Sequence, residues 1–394
     1  MSAWTRVPLA EIAEVFNGKT PSKAEQRNHG HPVLKIKDVS DVGEFRGSFD
    51  SFVDPDLAHA YQAKRLRAGD TLILNAAHNA DYVGSKTYRV QPPVIGALAT
   101  GEWLVIRPAK AHLDPDFAFH WVNSTEAHRA IRDLVKGIHL YPKDVARLRI
   151  PLPPLPEQRR IAEILDKADA LRTKRRDALA QFDMLTQSIF LEMFGDPVIN
   201  PRGFPIAFMG EVCDVRDGTH DSPKYAPDGR FPLITSKNVT GGSIDLSDVN
   251  YISEADYVQI NKRSKVDRGD IILPMIGTIG SPVLVDHEPR YAIKNVALIK
   301  FITGSPLAVF VLHLLSSHYF DHVVTGKNRG GTQKFVSLGD LRAFPLPLPP
   351  EREQAEFARR MEVCFKIRRT HRASEIRHSE LIGILQQRAF QGEL

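Results

Sequence analysis

The chain contains the same layout twice, and this duplication constrains its fold more than any other feature. Leu9–Val15 and Gly18 match Met209–Val215 and Gly218 at an offset of 200 residues. The same offset aligns the motif Gly69-Asp70 with Gly269-Asp270, each ahead of an aliphatic run. Several matches at one offset are not expected by chance, so the sequence predicts two structurally equivalent halves.

Each half ends in a proline-rich segment that leads into a long helix. Pro151-Leu-Pro-Pro154 precedes Glu157-Gln158, and Pro347-Leu-Pro-Pro350 precedes Glu353-Gln354, at an offset of 196. Proline cannot donate a hydrogen bond in a sheet or sit inside a helix, so we expect both segments, including Pro156, to be stiff extended linkers. Residues 157–194 contain neither Pro nor Gly, which predicts one uninterrupted helix.

Apolar residues on the two predicted helices recur at spacings of three and four, which is the pattern of a coiled-coil seam. The seam positions are 161, 164, 165, 168, 171, 178, 182, 185 and 189 in the first helix and Phe357, Met361, Cys364, Ile367, Leu381 and Leu385 in the second. A helix with one narrow apolar seam is not stable alone in water, so we expect the two helices to pair. The alternative is that each helix packs only on its own globular unit.

Short aliphatic runs set between Gly and Pro predict strands in both halves. They are Thr71–Leu74, Trp103–Ile106, Ile271–Leu273 and Val296–Phe301, whereas Asp114-Pro115 and Ser305-Pro306 each predict a helix start. The predicted fold class is α+β: two mixed strand-rich units separated by two long helices that form an antiparallel coiled coil, with pseudo-two-fold internal duplication. The predicted segments are a globular unit at 1–150, a hinge and helix at 151–197, a second unit at 198–346, and a second hinge and helix at 347–394.

Composition indicates a globular protein, because 42% of the 394 residues are apolar and 25% are charged. Two cysteines, Cys213 and Cys364, cannot build a disulfide framework or a zinc site, so a reducing compartment is expected. No apolar run reaches the roughly 18 residues needed to span a bilayer, and no signal segment follows the N-terminus. We therefore expect a cytoplasmic protein with no membrane partner. The net charge of +5 is compatible with binding nucleic acid and does not prove it.

The sequence carries none of the catalytic motifs for which we searched. It has no phosphate-binding Gly-x-x-x-x-Gly-Lys loop, no Gly-x-Ser-x-Gly elbow, no His-Glu-x-x-His and no dinucleotide fingerprint. Asp217, His220 and Asp221 could suggest a metal site, but in a Gly- and Pro-rich loop such residues more often stabilise a turn. The sequence therefore predicts no catalytic residues, no metal and no cofactor on this chain.

The loops are instead rich in side chains that suit nucleic acid, because Lys and Arg bind phosphates and guanine edges while Asn and Gln bind adenine edges. The candidate DNA-binding residues are Asn75, His78, Asn79, Lys86, His139, Tyr141, Lys143, Thr219, His220, Lys224, Tyr225, Lys237, Asn238, Lys294, Asn295, Lys327, Arg329, Gln333 and Lys334. Lys327–Lys334 is the strongest stretch, since it combines cations with two glycines. For any single residue, a solvated polar loop is an equally good interpretation.

The duplicated Pro-Leu-Pro-Pro…Glu-Gln segments and the globular units that open like Ile12–Gly18 resemble the specificity subunit of type I restriction–modification systems. The resemblance covers essentially the whole chain. It implies that each globular unit is a target-recognition domain that reads one half of a bipartite site in double-stranded DNA. It also implies that the paired helices set the spacing between the half-sites.

The resemblance further implies protein partners. Modification (methyltransferase) subunits, two in number, would dock on the helices, and a restriction (motor-nuclease) subunit would join them. S-adenosylmethionine and ATP would bind to those subunits only. Three alternatives remain open from the residues: the specificity module of a related restriction–modification enzyme, a DNA-modifying enzyme with an unrecognised site, and a scaffold that binds only protein.

Overall fold

The fold is known from a computed structural model that describes residues 4–221, 223–226, 229–275, 281–302, 304–325 and 335–394. The chain divides into two compact units. The first unit comprises residues 1–176 and 373–394, and the second comprises residues 177–372. Each unit therefore contains one globular part, here called the first module (residues 1–150) or the second module (residues 198–346), together with segments of both long helices.

The first module combines ten strands with five short helices, and the first long helix follows it. The strands are β1 (Arg6–Pro8), β2 (Ala13–Asn17), β3 (Gln26–Arg27), β4 (His31–Leu34), β5 (Phe52–Val53), β6 (Thr71–Leu74), β7 (Thr87–Arg89), β8 (Leu98–Ala99), β9 (Trp103–Pro108) and β10 (Arg149–Pro151). The helices are α1 (Leu9–Ile12), α2 (Pro55–Ala60), α3 (Pro115–Val122), α4 (Thr125–Asp133), α5 (Pro142–Val145) and the long helix α6 (Leu155–Phe194).

The second module has a similar order of elements, with an additional β14–β15 hairpin, and leads into the second long helix. Its strands are β11 (Ile206–Phe208), β12 (Asp214–Asp217), β13 (Phe231–Ile234), β14 (Val239–Thr240), β15 (Ser243–Ile244), β16 (Asn250–Ile252), β17 (Ile271–Pro274), β18 (Val283–Leu284), β19 (Ala292–Ile293), β20 (Val296–Lys300) and β21 (Pro345–Pro347). Its helices are α7 (Met209–Val212), α8 (Glu254–Ser264), α9 (Pro306–Leu315), α10 (His318–Thr325) and α11 (Leu338–Arg342), followed by the long helix α12 (Glu351–Gln391).

The main sheets of the two modules have the same topology. The strand order is β2-β9-β6-β7 in the first module and β12-β20-β17-β18 in the second, with antiparallel neighbours throughout. The registers also correspond, since Val15 pairs with Ile106 and Val215 pairs with Ile299. The α+β fold and its internal duplication are thus confirmed.

The two ends of each module are joined by a two-stranded antiparallel ribbon. In the first module, β1 pairs with β10 so that Arg6 lies opposite Pro151. In the second, β11 pairs with β21 so that Ile206 lies opposite Pro347. The prolines of the linkers occupy the ends of these two-stranded ribbons, where a missing backbone donor is tolerated. The first and last residues of each module thus lie side by side.

The duplicated Gly-Asp motif has the same structural role in both modules. Asp70 accepts a hydrogen bond from the backbone N–H of Arg67 and forms a buried ion pair with Arg107 at 2.7 Å. Asp270 accepts from the N–H of Asp267 and pairs with the Lys300 ammonium at 2.6 Å. In each case the carboxylate fixes the turn before a central strand and neutralises a cation at the end of the neighbouring strand.

We expect the substitution Asp70→Ala to lower the free energy of unfolding by about 3–5 kcal/mol, because it leaves the buried Arg107 without its counter-charge. Glu14 is a suitable control, since this exposed carboxylate lies 3.9 Å from the same guanidinium. Glu14→Ala should cost less than about 1 kcal/mol. Chemical denaturation of both variants measures the difference, and equal losses would contradict the role assigned to Asp70.

The long helices extend further than the sequence indicated. The first begins at Leu155, so the expectation that Pro156 belongs to the extended linker is wrong. Proline is tolerated in the first helical turn because its missing N–H has no partner there anyway. Gln158 and Gln354 mark the start of the two helices in the same way, since each donates its side-chain amide to a linker carbonyl, of Pro153 and Pro349 respectively, at 2.8 Å.

Segments of the two long helices pack against each other inside each unit. In the first unit, Ile161 and Leu165 share an apolar cluster with Ala389 and Phe390. The Arg175 guanidinium donates to the Ser374 hydroxyl. Residue numbers thus rise along one helix as they fall along the other, so these segments run antiparallel.

The second unit shows the same antiparallel packing at the other ends of the helices. The ring of Phe190 lies 5.6 Å from that of Phe357, and Phe182 lies at the same distance from His371.

Some expected seam residues are not part of this packing. Leu171, Leu185 and Leu381 are exposed, and their assignment to the seam is wrong. Between the two apolar ends of the packing, the helices make a polar contact, of Arg175 with Ser374. Ile161 and Leu165 also join the core of their own module through Phe117 and Trp121. Each helix therefore packs both on its module and on the other helix.

Within the part of the chain that the structure describes, no single helix has the length and apolar character to cross a bilayer. One bent pair, Pro306–Leu315 with His318–Val324, has them only when its two helices are combined.

Candidate nucleic-acid interface

Equivalent turns follow the first strand of the main sheet in the two modules. Gly18 directly follows β2 in the first module, and Gly218 directly follows β12 in the second. A side chain at Gly18 would collide with the carbonyl oxygens of Ala99 and Thr100, and one at Gly218 would collide with that of Ile293. Only glycine permits so close an approach of two backbones. The turn is therefore a duplicated structural feature, and residues 17–20 and 217–220 occupy equivalent places.

In the second module, this turn carries a cluster of polar side chains centred on His220. Its Nε2 lies 2.8 Å from the buried carboxylate of Asp217, and its Nδ1 lies 2.9 Å from Oδ1 of Asn295. The Asp217 carboxylate also pairs with the guanidinium of Arg263. Asn295 adopts a left-handed backbone conformation with φ of 54°. The Asp217 carboxylate is buried, whereas the imidazole of His220 and the guanidinium of Arg263 are largely exposed to solvent.

The hydrogen bonds of His220 favour its charged form. The side chain of Asn295 and the carboxylate of Asp217 both raise the pKa of this imidazole, because both ring nitrogens must carry a proton to donate to them. Burial opposes this shift only weakly, since the ring is exposed. His220 can thus supply a positive charge to a phosphate near neutral pH.

We expect the DNA affinity of the second module to fall by about fivefold as the pH rises through the raised pKa of His220. The imidazolium makes its full contribution to binding below the ordinary pKa of histidine, and this contribution is lost above the raised pKa. His220→Gln should remove this pH dependence. His318→Gln, at an exposed histidine paired with Asp196, should retain it. Fluorescence titration of a DNA duplex between pH 6 and 9 measures both. An unchanged pH dependence in His220→Gln would contradict the assignment.

In the first module, a different set of bonds holds the equivalent turn. The buried amide of Asn75 donates to Oδ1 of Asn17 at 3.0 Å and to the carbonyl of Gly101 at 2.9 Å. The hydroxyl of Thr20 accepts from the N–H of Gly101 at 2.7 Å. These bonds fix the loops against each other, and the cation of this turn is Lys19, whose ammonium lies 5.3 Å from the ring centroid of Tyr61. The two turns are equivalent in backbone and different in chemistry.

Two loops that are distant in the sequence meet beside this turn. The N–H of Leu140 donates to the carbonyl of Asn75 at 2.7 Å, and Ala76 forms a bridge with His139. Exposed side chains from both loops therefore lie at one edge of the first module. They are His78, Asn79, Tyr82, His139, Tyr141 and Lys143. Aromatic rings and cations exposed together suit contact with bases and phosphates.

The remaining candidates fall into four groups. Lys224, Tyr225 and Lys237 are exposed, although Lys237 forms an ion pair with Asp248 at 3.2 Å, and Thr219, Lys294 and Asn295 are partly buried around His220. Asn75, Lys86 and Asn238 are bonded inside the modules. Lys327, Arg329, Gln333 and Lys334 lie outside the described residues, and with them the stretch 327–334.

The three candidates that are bonded inside the modules are not available for direct contact with DNA. Asn238 is buried, and its amide donates to the carbonyls of Asp245 and Asp248. The ammonium of Lys86 has little exposure, since it donates to the carbonyl of Val39 and pairs with Asp41 at 2.9 Å. Like Asn75, these residues shape loops from within. For Asn75, Lys86 and Asn238 the structure thus corrects the expectation of a base or phosphate contact.

The sequence interpretation missed several residues of this interface. Asn17 and Arg263 were not among the candidates, and Asp217 was considered as a metal ligand or a turn-stabilising residue but not as part of a DNA interface. The 200-residue offset could have found Asn17, because it aligns this residue with Asp217. Among the described residues, no three His, Cys, Asp or Glu side chains come together in a group that could hold a metal ion.

Comparison with known proteins places this architecture in a family. The sequence model described as the type I restriction modification DNA specificity domain matches residues 1–181 and again residues 201–377. The specificity subunit of the type I restriction enzyme EcoKI from Escherichia coli K12 is 23% identical, over 99% of this chain and 89% of the relative.

Two solved structures are similar in fold. One is a type I restriction–modification S subunit from M. genitalium, with a TM-score of 0.54 and 13% identity, covering 98% of this chain and 96% of the other. The other is a chain from a study of complex assembly and conformational transition of the type I R-M system, with a TM-score of 0.50 and 20% identity, covering 100% and 99%. Because the family model matches most of the chain, in two copies that coincide with the two modules and their helices, the predicted family is confirmed: the chain belongs to the type I restriction modification DNA specificity family.

Proposed function

We propose that the chain is the DNA-specificity subunit of a type I restriction–modification complex and that each module reads one half of a bipartite site in double-stranded DNA. The observation that carries this proposal is the duplicated turn at residues 17–20 and 217–220. The backbone is the same in both modules, while the side chains around it differ. Equivalent loops with different donors and acceptors are what two half-sites of different sequence require.

We propose further that the two long helices form one antiparallel coiled coil that sets the distance between the half-sites. The antiparallel packing of their segments inside each unit supports this. Helices of 40 and 41 residues would each form a rod of about 60 Å at a rise of about 1.5 Å per residue. A rod of that length corresponds to about 1.7 turns of B-DNA.

The proposed partners follow from the family. Modification subunits, two per chain, would bind S-adenosylmethionine and transfer the methyl group, and a restriction subunit would use ATP. This chain would then contribute recognition and assembly without catalysis, in the cytoplasm. A purified chain should show no methyl transfer to DNA on its own, as a radiolabelled methyl-transfer assay would test. Transfer at the rate of the reconstituted complex would instead favour an enzyme with an unrecognised site.

Selection from a random duplex library tests the proposal directly. The complex of this chain with its modification subunits is expected to enrich two short motifs separated by a spacer of fixed length and arbitrary sequence. The combined variant His220→Gln and Lys224→Ala should weaken binding through one motif only. Enrichment of one contiguous motif would contradict one half-site per module. The absence of any enrichment would favour a scaffold that binds only protein.

A further inference from the structure

A charged cluster lies between the first module and the first long helix. The Asp166 carboxylate on α6 accepts a hydrogen bond from Nε2 of His120 at 2.8 Å and pairs with the Arg89 guanidinium at 3.0 Å. Arg89 also pairs with Asp116 at 2.8 Å. His120 belongs to α3 and Arg89 to β7, so one helix carboxylate binds two separate elements of the module at once.

Within the cluster His120 is fully buried, Arg89 is mostly buried, and the carboxylates of Asp166 and Asp116 are partly exposed. His120 is only 1% exposed, and its Nδ1 has no hydrogen-bond partner and lies 3.8 Å from the carboxylate of Asp169 on the same helix. Burial alone would raise the pKa of Asp166, but the hydrogen bond from His120 and the charge of Arg89 outweigh it and lower this pKa. The carboxylate is therefore held in its charged form by groups that belong to the module.

The equivalent place in the second unit has different chemistry. At the ends of α3 and α9, the carbonyls of Trp121 and Leu314 accept equivalent hydrogen bonds, so the two helices align at an offset of 193 residues. This offset makes His313 the counterpart of His120. His313 donates Nδ1 to the carbonyl of Val309 and is surrounded by the rings of Phe190, Phe357 and Phe365. Burial lowers its pKa to about 4, so it is neutral near pH 7.

The other members of the cluster are replaced in the same sense. Leu284 has the same place in the pairing of β17 with β18 as Arg89 has in the pairing of β6 with β7, so the two residues are counterparts. The two long helices align at an offset of 196 residues, which makes Phe365 the counterpart of Asp169. The counterpart of Asp166 is Glu362, which is exposed. This contact region in the second unit borders a cavity of about 710 Å³ lined in part by Leu284, His313 and Phe365. At this place the first unit thus has a charged contact between the module and α6, whereas the equivalent place in the second unit is apolar and borders a cavity. Elsewhere in the second unit, Arg369 of α12 pairs with Asp286 of the module at 2.8 Å.

We infer that His120 and Arg89, through Asp166, form a positioning contact that holds the first module in one orientation on its long helix, and that the second module lacks this contact. The contact has directional character, because a hydrogen bond and an ion pair to one carboxylate constrain angle as well as distance. Apolar packing beside a cavity constrains orientation less. The consequence for DNA reading rests on the proposed function, while the contact itself does not.

The contact is tested by thermal unfolding of the full chain. Asp166→Asn should lower the unfolding midpoint by about 5 °C, because the buried ring of His120 loses its carboxylate acceptor and Arg89 keeps only Asp116 as a charged partner. The matched change Glu362→Gln on the second helix should shift it by less than about 1 °C. His120→Gln combined with Asp166→Asn should lower the midpoint little more than Asp166→Asn alone, as expected for coupled residues. Equal shifts for Asp166→Asn and Glu362→Gln, or strictly additive shifts, would overturn the inference.

The positioning role is tested with DNA. Half-sites selected by the wild-type complex are placed in a library of variable spacers, at a temperature where every variant is folded. Asp166→Asn should broaden the range of accepted spacers by at least one base pair. Val105→Ala, which removes buried apolar contacts in the sheet of the same module, should leave the range unchanged. Identical ranges for these two variants would reduce the cluster to a stabilising contact and overturn the positioning role. Failure of the wild-type complex to select any half-site would contradict the proposed function and leave the unfolding test valid.

Discussion

Removal of one heptad from each long helix is expected to shorten the preferred spacer between the two half-sites by about three base pairs. Seven residues of helix span about 10 Å, and B-DNA rises about 3.4 Å per base pair. Three base pairs fewer also rotate one half-site by roughly a hundred degrees about the DNA axis. Affinity for the original spacer should fall by tenfold or more, because twisting or bending a short duplex costs on the order of several kcal/mol.

The deletion must remove segments that face each other. Residues 174–180 and 371–377 satisfy this, since Arg175 contacts Ser374 in the first unit and Asp183 lies 3.6 Å from Arg368 in the second. Deletion from one helix only is the control, and should disrupt the pairing without defining a new spacer. Binding selection from a library of spacers measures the result. Unchanged affinity for the original spacer would show that the helices do not set the distance.

Replacement of residues 1–150 by the corresponding segment of another family member is expected to change one half-site completely and to leave the other intact. Each base-pair mismatch costs about 1–3 kcal/mol, so affinity for the original first half-site should fall on the order of a thousandfold. The two main sheets form separately within their modules, which makes the base contacts separable. Library selection with the chimaeric complex measures both half-sites.

The choice of donor provides a control for this exchange. A donor with Arg and His at the positions of Arg89 and His120 should keep the spacer length, whereas a donor without them should accept several lengths. In both cases the second half-site should stay unchanged. A chimaera in which both half-sites change together would be inconsistent with one half-site per module.

The sequence predicted the duplication and the element types well, because both depend on local chemistry that repeats. The offset of 200 placed Gly18 with Gly218 and Asp70 with Asp270, and each pair has the same structural role. Helix starts were also predictable: the side chain of Asp114 accepts hydrogen bonds from the first turn of α3, as its position before a proline indicated.

The interface could be predicted only in part, because residue type does not reveal burial. Asn75 and Asn238 have the same chemistry as exposed recognition residues, yet both are buried and bond to loop carbonyls. The cluster at Asp166 gave no signal either, since Arg89 and His120 are separated from it by at least 46 residues in sequence. Contacts that depend on the docking of one element on another are set by tertiary packing, which a single sequence does not show.

The two-stranded ribbons that close the modules have a consequence for inheritance. Arg6 lies opposite Pro151, and Ile206 lies opposite Pro347, so the first and last residues of each module are neighbours in space. Genetic exchange with crossovers at these points would replace a whole module and leave the remaining backbone continuous. The DNA preference of the chain can then change in one recombination event. It does not have to pass through intermediates in which a partly altered module recognises no DNA sequence.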